Sequence, residues 1–361
     1  MSDNPMVPKG EERIVQALRA LYSSYGYAKY KMNRFEEYDL YARNKDFLVS
    51  GNIITFTDTD GSLMALKPDV TLSIVKGFRD ESQCVSRVAY DEKVYRVSSA
   101  SSTFREITQV GLECLGDIGN VQLGEVALLA QKSLKLISER SMLAISHMDI
   151  TEAFLLDISS LKARKEALSY LEKRNISAMD KLVSDYPECS EAIMKLGSLM
   201  KLNGSNKETL SSLSAMGAAE QAVEELEEIV SILDEEKVRI DFSVLGGMNY
   251  YNGITFRGYI YGVPGPVVSG GQYDRLMARM GKKAKAIGFA VYLDSLEKLL
   301  EETEEYDVDV ALVFSEDCSM LDVIKTAEEI RESGRSVSTM KKLPQKLKSR
   351  ETVFLKGGEN A

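Results

Sequence analysis

Four segments between residues 239 and 291 have apolar residues that alternate with polar ones or run together. These patterns predict β-strands, which span residues 239–245, 254–261, 267–269 and 286–291. Turn residues at 249–253 and 263–266 separate the first three strands, and a helix is predicted at 294–300. The strands indicate an antiparallel sheet. Its glycine pair, Gly270-Gly271, allows a close backbone approach, and with the tyrosines at that end it indicates a pocket for a small polar ligand.

The first 150 residues combine helix and strand patterns. Residues 9–25 and 116–137 carry apolar residues at helical spacing. Residues 53–66 indicate a β-hairpin, and residues 143–150 are predicted to form a strand. That strand contains the only histidine, His147, for which we expect a structural role.

The rest of the chain predicts a helical segment and a small α/β unit. Residues 157–230 are acidic and helix-rich, with amphipathic runs at 162–173, 191–201 and 218–233. Near the C-terminus the predicted elements are a strand at 307–314, a helix at 317–333 and strands at 336–340 and 352–356. We therefore predict an α+β chain with a core at residues 1–300, which includes a helical insertion at about 155–235, and a C-terminal domain at residues 307–361.

Composition and charge narrow the classes of function. The 361 residues carry a net charge of −10, and because phosphate contacts dominate nucleic-acid affinity, tRNA is an unlikely partner. The candidate basic cluster is expected to be a solvated helix face, and its members are Lys341, Lys342, Lys346, Lys348 and Arg350. Four scattered cysteines and one histidine predict neither disulfides nor a metal site.

No motif predicts a cofactor or a membrane. The sequence contains no GxxxxGK[ST] or GxGxxG segment, so no nucleotide cofactor is predicted. No apolar run approaches the roughly 18 residues that a membrane span needs, and the first residues are polar and charged. We expect a cytoplasmic protein.

Several segments resemble the catalytic core of the histidyl-tRNA synthetases. They are Gly247-Met248-Asn249-Tyr250-Tyr251, Ser269-Gly270-Gly271-Gln272-Tyr273-Asp274, Gly288-Phe289-Ala290 and, in the position of motif 2, Lys93-Val94-Tyr95-Arg96-Val97 with the segment from Phe104 to Glu113. The resemblance implies a class II aminoacyl-tRNA synthetase-like antiparallel sheet flanked by helices. It covers residues 9 to 300 well and the C-terminal unit only faintly.

The same resemblance implies a pocket for histidine. In Lys67-Pro68-Asp69-Val70-Thr71, the carboxylate of Asp69 and the hydroxyl of Thr71 would accept hydrogen bonds from the ligand's ammonium group. Alternatively, Asp69 only caps a helix. Gln109 and Glu113 would read the imidazole, unless they belong to a solvent face of their strand.

The remaining predicted ligand-binding residues complete this pocket. Arg96 could hold the free carboxylate. The others are Tyr250, Tyr251, Gly270, Gly271 and Tyr273.

Three departures from the synthetase pattern concern catalysis. Gly246 and Ser295 stand where the synthetases have arginines, and Ser98 stands where they have a glutamate. Because one lost donor to a developing charge costs about 10²–10³ in rate, losing two arginines would slow adenylation by at least about 10⁴ if the effects add.

This combination resembles the synthetase paralogues that regulate ATP phosphoribosyltransferase. The resemblance implies a non-catalytic subunit that pairs with the short-form catalytic subunit, forms a homodimer within a hetero-oligomer, and takes L-histidine as its effector. Two alternatives remain open. One is a working synthetase with displaced catalytic groups, and the other is an amino-acid-binding module with a different partner.

Overall fold

The structure, a computed structural model, describes residues 10–48, 53–80, 84–97, 103–202, 204–245, 250–296 and 306–357. The chain forms two compact units. One comprises residues 17–296, and the other comprises residues 297–361 with residues 1–16. The predicted domain boundaries at residues 300 and 307 stay a prediction.

An eight-stranded sheet is the centre of the larger unit. Its strands are β1 (Ala28–Lys29), β5 (Val85–Val97), β6 (Phe104–Gly116), β7 (Ser141–His147), β8 (Val238–Ile240), β9 (Asn252–Ile260), β10 (Val268–Gln272) and β11 (Lys285–Tyr292). The order across the sheet is β1-β5-β6-β11-β10-β9-β7-β8. Helix α11 (Asp274–Arg279) follows β10 in the chain and precedes β11. Only the two outermost pairs, β1 with β5 and β7 with β8, are parallel, so the predicted antiparallel sheet is confirmed.

One face of this sheet carries an apolar core. Leu112 of β6 lies opposite Phe289 of β11, which lies opposite Gly270 of β10 and, beyond it, Phe256 of β9. Helix α4 (Asn120–Ile137) packs on this side. Tyr22, in the part of α1 (Gly10–Ser24) that belongs to the larger unit, meets the ring of Phe289 edge-on at 5.9 Å. The opposite face is left for polar side chains.

A smaller antiparallel sheet and two short helices flank residues 67–71. The sheet has the order β2-β4-β3, and the elements are β2 (Phe35–Glu37), α2 (Tyr38–Arg43), β3 (Thr55–Thr57), β4 (Leu63–Leu66) and α3 (Thr71–Gly77). The pairing of β3 with β4 confirms the hairpin predicted at residues 53–66.

The helical insertion is present. It follows α5 (Met148–Leu156) and consists of α6 (Leu161–Glu172), α7 (Ile176–Asp185), α8 (Ser190–Leu199), α9 (Asn206–Ala215) and α10 (Glu220–Ser231). Helices α6, α8 and α10 match the three amphipathic runs. Serine and asparagine caps begin α6, α7 and α9.

Two predicted strands end earlier than expected, each for a local reason. The strand predicted at 239–245 ends at Ile240, since the Asp241 carboxylate accepts hydrogen bonds from the Ser243 N–H (2.9 Å) and Oγ (2.7 Å) and forms a turn. The strand predicted at 143–150 ends at His147, whose Nδ1 accepts the Asp149 N–H at the start of α5.

Of the helix predicted at 294–300, only residues 294–296 are described, and they lie in a 3-10 turn at Leu293–Leu296; residues 297–300 lie outside the described residues.

The C-terminal unit contains a three-stranded parallel sheet. Its elements are β12 (Val308–Phe314), α12 (Met320–Glu332), β13 (Val337–Met340) and β14 (Ser349–Leu355), with the strand order β13-β12-β14. The small α/β unit is therefore present. The predicted helix face for the basic cluster was wrong, because Lys341 to Lys348 follow β13 without helix and Arg350 lies in β14. Pro344 lies within this segment and disfavours a helix there.

None of the helices in the described ranges has the length and apolar character needed to span a bilayer.

Candidate ligand-binding site

A cavity of about 480 Å³ lies over the polar face of the eight-stranded sheet. This volume falls in the range of small-molecule sites. Eight of the ten residues predicted to bind the ligand line it, namely Asp69, Thr71, Arg96, Gln109, Glu113, Tyr250, Tyr251 and Tyr273. The structure therefore brings residues from five separate segments of the chain together in one place.

Small residues form the floor of the cavity. Gly288 lies opposite Glu113 in the β6–β11 pairing, and a Cβ at Gly288 would overlap the Glu113 carboxyl group and lie 2.5 Å from the Leu112 carbonyl oxygen. Two residues along, Ala290 lies opposite Gly111. These positions leave the Glu113 carboxyl group room to extend across β11.

Glu113 is the buried acid of the site. It is 2% exposed, and its two carboxyl oxygens accept hydrogen bonds from Thr71 Oγ1 (2.9 Å) and Tyr273 Oη (2.7 Å). Burial raises the pKa of Glu113 to about 8, against the lowering effect of those two hydrogen bonds. At neutral pH this group is mostly a neutral carboxylic acid that can both donate and accept.

Asp69 lies at the start of α3, and both sequence interpretations of it apply. Its Oδ1 accepts the Leu72 N–H at 2.9 Å, so it caps the first turn of the helix, and it also lines the cavity. Burial raises its pKa, while the Leu72 hydrogen bond and the charge of Arg96 lower it.

Two basic residues fix the segment that carries Asp69. Lys67 is fully buried and its Nζ lies 2.8 Å from Glu92 Oε2 on β5. Arg96 Nε donates to the Pro68 carbonyl oxygen at 3.1 Å. Strand β5 therefore determines where Asp69 and Thr71 lie relative to the sheet.

Gln109 does not lie on a solvent face. It is 3% exposed and lines the cavity. Gln109 lies four residues before Glu113 on β6, so both side chains point to the same face of the sheet. Within the described ranges its side-chain amide makes no hydrogen bond, so it is available to a ligand.

Aromatic side chains form a wall of the cavity. The rings of Tyr250 and Tyr251 are 4.6 Å apart, and Tyr250 also lies 6.0 Å from both Tyr273 and Phe47. Burial raises the pKa of all three tyrosines, so their hydroxyls stay neutral donors.

The glycine pair does not line the cavity but lies inside β10. A Cβ on Gly270 would meet the Phe256 ring at 2.8 Å on the core face, and one on Gly271 would meet the Tyr251 ring at 2.8 Å. Close approach, rather than a turn, explains both glycines. Gly271 contributes to the site because its lack of a side chain leaves room for the Tyr251 ring.

Sequence reasoning missed several residues of the cavity. Tyr90, Arg257, Ser269 and Tyr292 line it. So do Asp46, Phe47 and Leu48, which belong to the 3-10 turn after α2 and its C-terminal end. Arg257 had a detectable signal, since it is the one charged residue in β9.

The positions that differ from the synthetases are only partly described. Ser295 is half-buried in the 3-10 turn after β11. Gly246 and Ser98 lie outside the described residues, as do Gly247, Met248 and Asn249.

Neither a metal site nor a catalytic histidine emerges in the described ranges. No group of three or more His, Cys, Asp or Glu side chains there could hold a metal ion. His147 is 3% exposed, and its Nε2 lies 3.2 Å from Glu225 Oε1 while Nδ1 caps α5. These contacts give it a structural role away from the cavity.

Comparison with known proteins places this geometry in a family. A family model described as histidyl-tRNA synthetase matches residues 4–296. A curated relative named ATP phosphoribosyltransferase regulatory subunit, from Ruminiclostridium cellulolyticum, is 27% identical over 346 residues, with 91% of this chain and 82% of the relative covered.

Solved structures with the same fold include relatives of both kinds. An ATP phosphoribosyltransferase regulatory subunit/histidyl-tRNA synthetase from Bacillus halodurans matches with a TM-score of 0.77 and 22% identity over 99% of this chain and all of that one. A chain of the ATP phosphoribosyltransferase (HisG:HisZ) complex from Thermotoga maritima matches with a TM-score of 0.63 and 20% identity over 78% of this chain and 96% of that one. The chain belongs to the histidyl-tRNA synthetase family and has the class II aminoacyl-tRNA synthetase-like fold that its sequence predicted.

Proposed function

We propose that this chain is a non-catalytic regulatory subunit of ATP phosphoribosyltransferase that binds L-histidine in the cavity over its main sheet. The chain works with the short-form catalytic subunit of that enzyme, which joins ATP and phosphoribosyl pyrophosphate in the first step of histidine biosynthesis. Histidine binding shifts the assembly toward an inhibited state. Curated relatives that carry the name of this regulatory subunit support the partner.

The observation that carries the proposal is the combination of an intact recognition site with lost catalytic charges. Asp69, Thr71 and Glu113 lie around one buried cavity, whereas Gly246 and Ser295 provide no positive charge. An adenylating enzyme needs such charges to stabilise the transition state.

The chemistry of the cavity suits histidine. An imidazole offers one donor and one acceptor nitrogen at neutral pH, and the protonated carboxyl of Glu113 together with the Gln109 amide can meet both. Asp69 and the Thr71 hydroxyl accept from the ammonium group. The ring wall formed by Tyr250 and Tyr251 packs on the flat imidazole.

The experiment that tests this function is reconstitution with the catalytic subunit. Formation of phosphoribosyl-ATP should require this chain and should be inhibited by L-histidine. In the Glu113→Gln variant, half-inhibition should need at least about tenfold more histidine, because the amide nitrogen replaces a carboxyl oxygen that accepts a hydrogen bond from Thr71 or Tyr273. A matched variant, Glu106→Gln, alters an exposed glutamate on the same strand and should leave the inhibition unchanged.

Two outcomes would contradict the proposal. Histidine-dependent exchange of pyrophosphate into ATP by this chain would identify a working synthetase. A catalytic subunit whose rate and histidine response are the same with and without this chain would exclude the regulatory role. The homodimer within the complex and the cytoplasmic location belong to the same proposal.

A further inference from the structure

Arg257 is a charged residue of the cavity that the histidine pocket described above does not use. It lies on β9, lines the cavity and is half-buried. Its Nε is buried without a hydrogen-bond partner, and its side chain forms no ion pair with any residue in the described ranges. Because a buried donor without an acceptor costs free energy, this guanidinium group is suited to an acceptor that a ligand brings.

The register of the sheet keeps the space beside Arg257 open. Arg257 lies opposite Ser269 of β10, and Ser269 lies opposite Ala290 of β11. Both neighbours are small and both line the cavity. The floor between Arg257 and the strand that supports the Glu113 carboxyl group therefore carries no bulky side chain.

The other cation of the cavity is already engaged. Arg96 Nε donates to the Pro68 carbonyl oxygen, and the charge of Arg96 stabilises the ionised form of Asp69. Arg96 therefore serves the end of the cavity that would hold the ligand's ammonium group. Position 246 is glycine and offers no charge.

The charges of Arg96 and Arg257 both influence Tyr292, which lies in the cavity between them. Burial raises the pKa of Tyr292, and the charges of Arg96 and Arg257 both oppose that rise. Tyr292 lines the cavity and lies opposite Gln109. Arg257 thus has electrostatic reach into the site from the side opposite Arg96.

We infer that Arg257 binds the carboxylate of the amino-acid ligand and makes the cavity selective for free amino acids over ligands whose carboxyl group is an amide or an ester. This inference rests on the proposed histidine-binding function. It reassigns the carboxylate from Arg96 to Arg257 and leaves Arg96 as the partner of Asp69. A sensor with this selectivity responds to free histidine and ignores histidine whose carboxyl group is linked to another molecule.

The test compares the affinities of L-histidine and L-histidinamide, whose carboxylate is replaced by a neutral amide. Both are titrated into the full-length chain, alone and together with the catalytic subunit. The unaltered protein should prefer L-histidine by about 10–100-fold, the range expected for hydrogen bonds to a charged group. In Arg257→Gln the preference should fall to within about threefold, and Arg257→Lys should recover part of it because the charge returns.

Two matched variants control for the loss of an arginine. Arg239→Gln changes an exposed arginine on β8 of the same sheet and should keep the full preference. Arg96→Gln should weaken both ligands together, since it acts through Asp69 at the ammonium end. Far-UV circular dichroism and the thermal midpoint establish that each variant is folded, and Arg257→Lys decides the matter if Arg257→Gln does not fold.

The outcomes separate this inference from the proposed function. Equal affinities for the two ligands in the unaltered protein, or an undiminished preference in folded Arg257→Gln, would overturn the role of Arg257 while leaving histidine binding intact. Binding of neither ligand, with and without the catalytic subunit, would remove the proposed function and this inference with it.

Discussion

The Glu113 carboxyl group gives the site a pH dependence that can be worked out from its burial. Burial raises its pKa to about 8, while the imidazole of free histidine has a pKa of about 6.5. Between these pH values the Glu113 carboxyl is protonated and the imidazole is neutral. The two groups then share one titratable proton, which is the number that a hydrogen bond between them needs. Below this range the pair must release a proton on binding, and above it the pair must take one up.

Histidine affinity should therefore be greatest between about pH 6.5 and pH 8 and should fall on both sides, by up to about tenfold per pH unit. Calorimetry in two buffers with different ionisation enthalpies should show little proton exchange at pH 7.2, release at pH 5.5 and uptake at pH 9. Glu113→Gln should remove the decline above pH 8, which comes from the Glu113 carboxyl group, and should keep the decline below pH 6.5, which comes from the imidazole. A flat profile in the unaltered protein would show that Glu113 does not face the imidazole.

Gly288 must lack a side chain, because a Cβ there would overlap the Glu113 carboxyl group. Gly288→Ala should destabilise the fold by about 1–3 kcal/mol, the usual cost of overpacking, and should also weaken histidine binding, because the new methyl group displaces the Glu113 carboxyl. Urea unfolding and calorimetry measure the two effects. Gly119→Ala is the control, since a Cβ there meets no atom within 4 Å. Equal effects of the two substitutions would argue against this account of the floor.

At the scale of elements, the segment from Lys67 to Thr71 is held to β5 by a buried ion pair. Lys67 is 0% and Glu92 17% exposed, and removing one partner of such a pair typically costs about 3–5 kcal/mol. We expect Lys67→Met to lower the free energy of unfolding by about 3 kcal/mol and to weaken histidine binding through Asp69.

The comparison variant is Lys93→Met, which lies next to Glu92 on β5. Its pairing with Glu106 is exposed, so a change of less than about 1 kcal/mol is expected. Urea midpoints measured side by side provide the test. If Lys67→Met is as mild as Lys93→Met, the buried pair does not hold the segment.

The helices and strands that the sequence predicted well lie in long segments whose apolar residues follow one regular spacing. Strands β9 and β11, helices α1, α4 and α12, and the β3–β4 hairpin follow the predicted patterns. Bounds failed where a side chain competed with the backbone, as at Asp241 and His147. Such hydrogen bonds depend on neighbours that periodicity does not specify.

The candidate site was predictable by resemblance and not by pattern. Eight of the proposed residues line one cavity, although the segment of Asp69 and that of Tyr273 lie more than 200 residues apart along the chain. Arg257 and Tyr292 were missed because only the sheet register shows that they share a face with Glu113. The glycine pair was assigned to the ligand because packing against Phe256 and Tyr251 cannot be read from sequence.

At the scale of the whole molecule, regulation requires that histidine and the catalytic subunit influence each other. Coupling free energies between sites are typically about 1–3 kcal/mol and are reciprocal. Saturating ATP and phosphoribosyl pyrophosphate should therefore weaken histidine binding by the complex about 5–150-fold. Titration of the complex with histidine, with and without those substrates, measures the ratio. Histidine affinity that ignores the substrates of a histidine-inhibited complex would contradict regulation through coupled equilibria.

Histidine binding itself is tested by a calorimetric titration of L-histidine into this chain, alone and with the catalytic subunit. We expect saturable binding with one ligand per chain, which Asp69→Asn and Glu113→Gln each weaken at least about tenfold. We also expect no binding of tyrosine or lysine, which lack an imidazole. Histidine binding would be contradicted if neither sample bound histidine, or if both variants bound it as tightly as the unaltered protein.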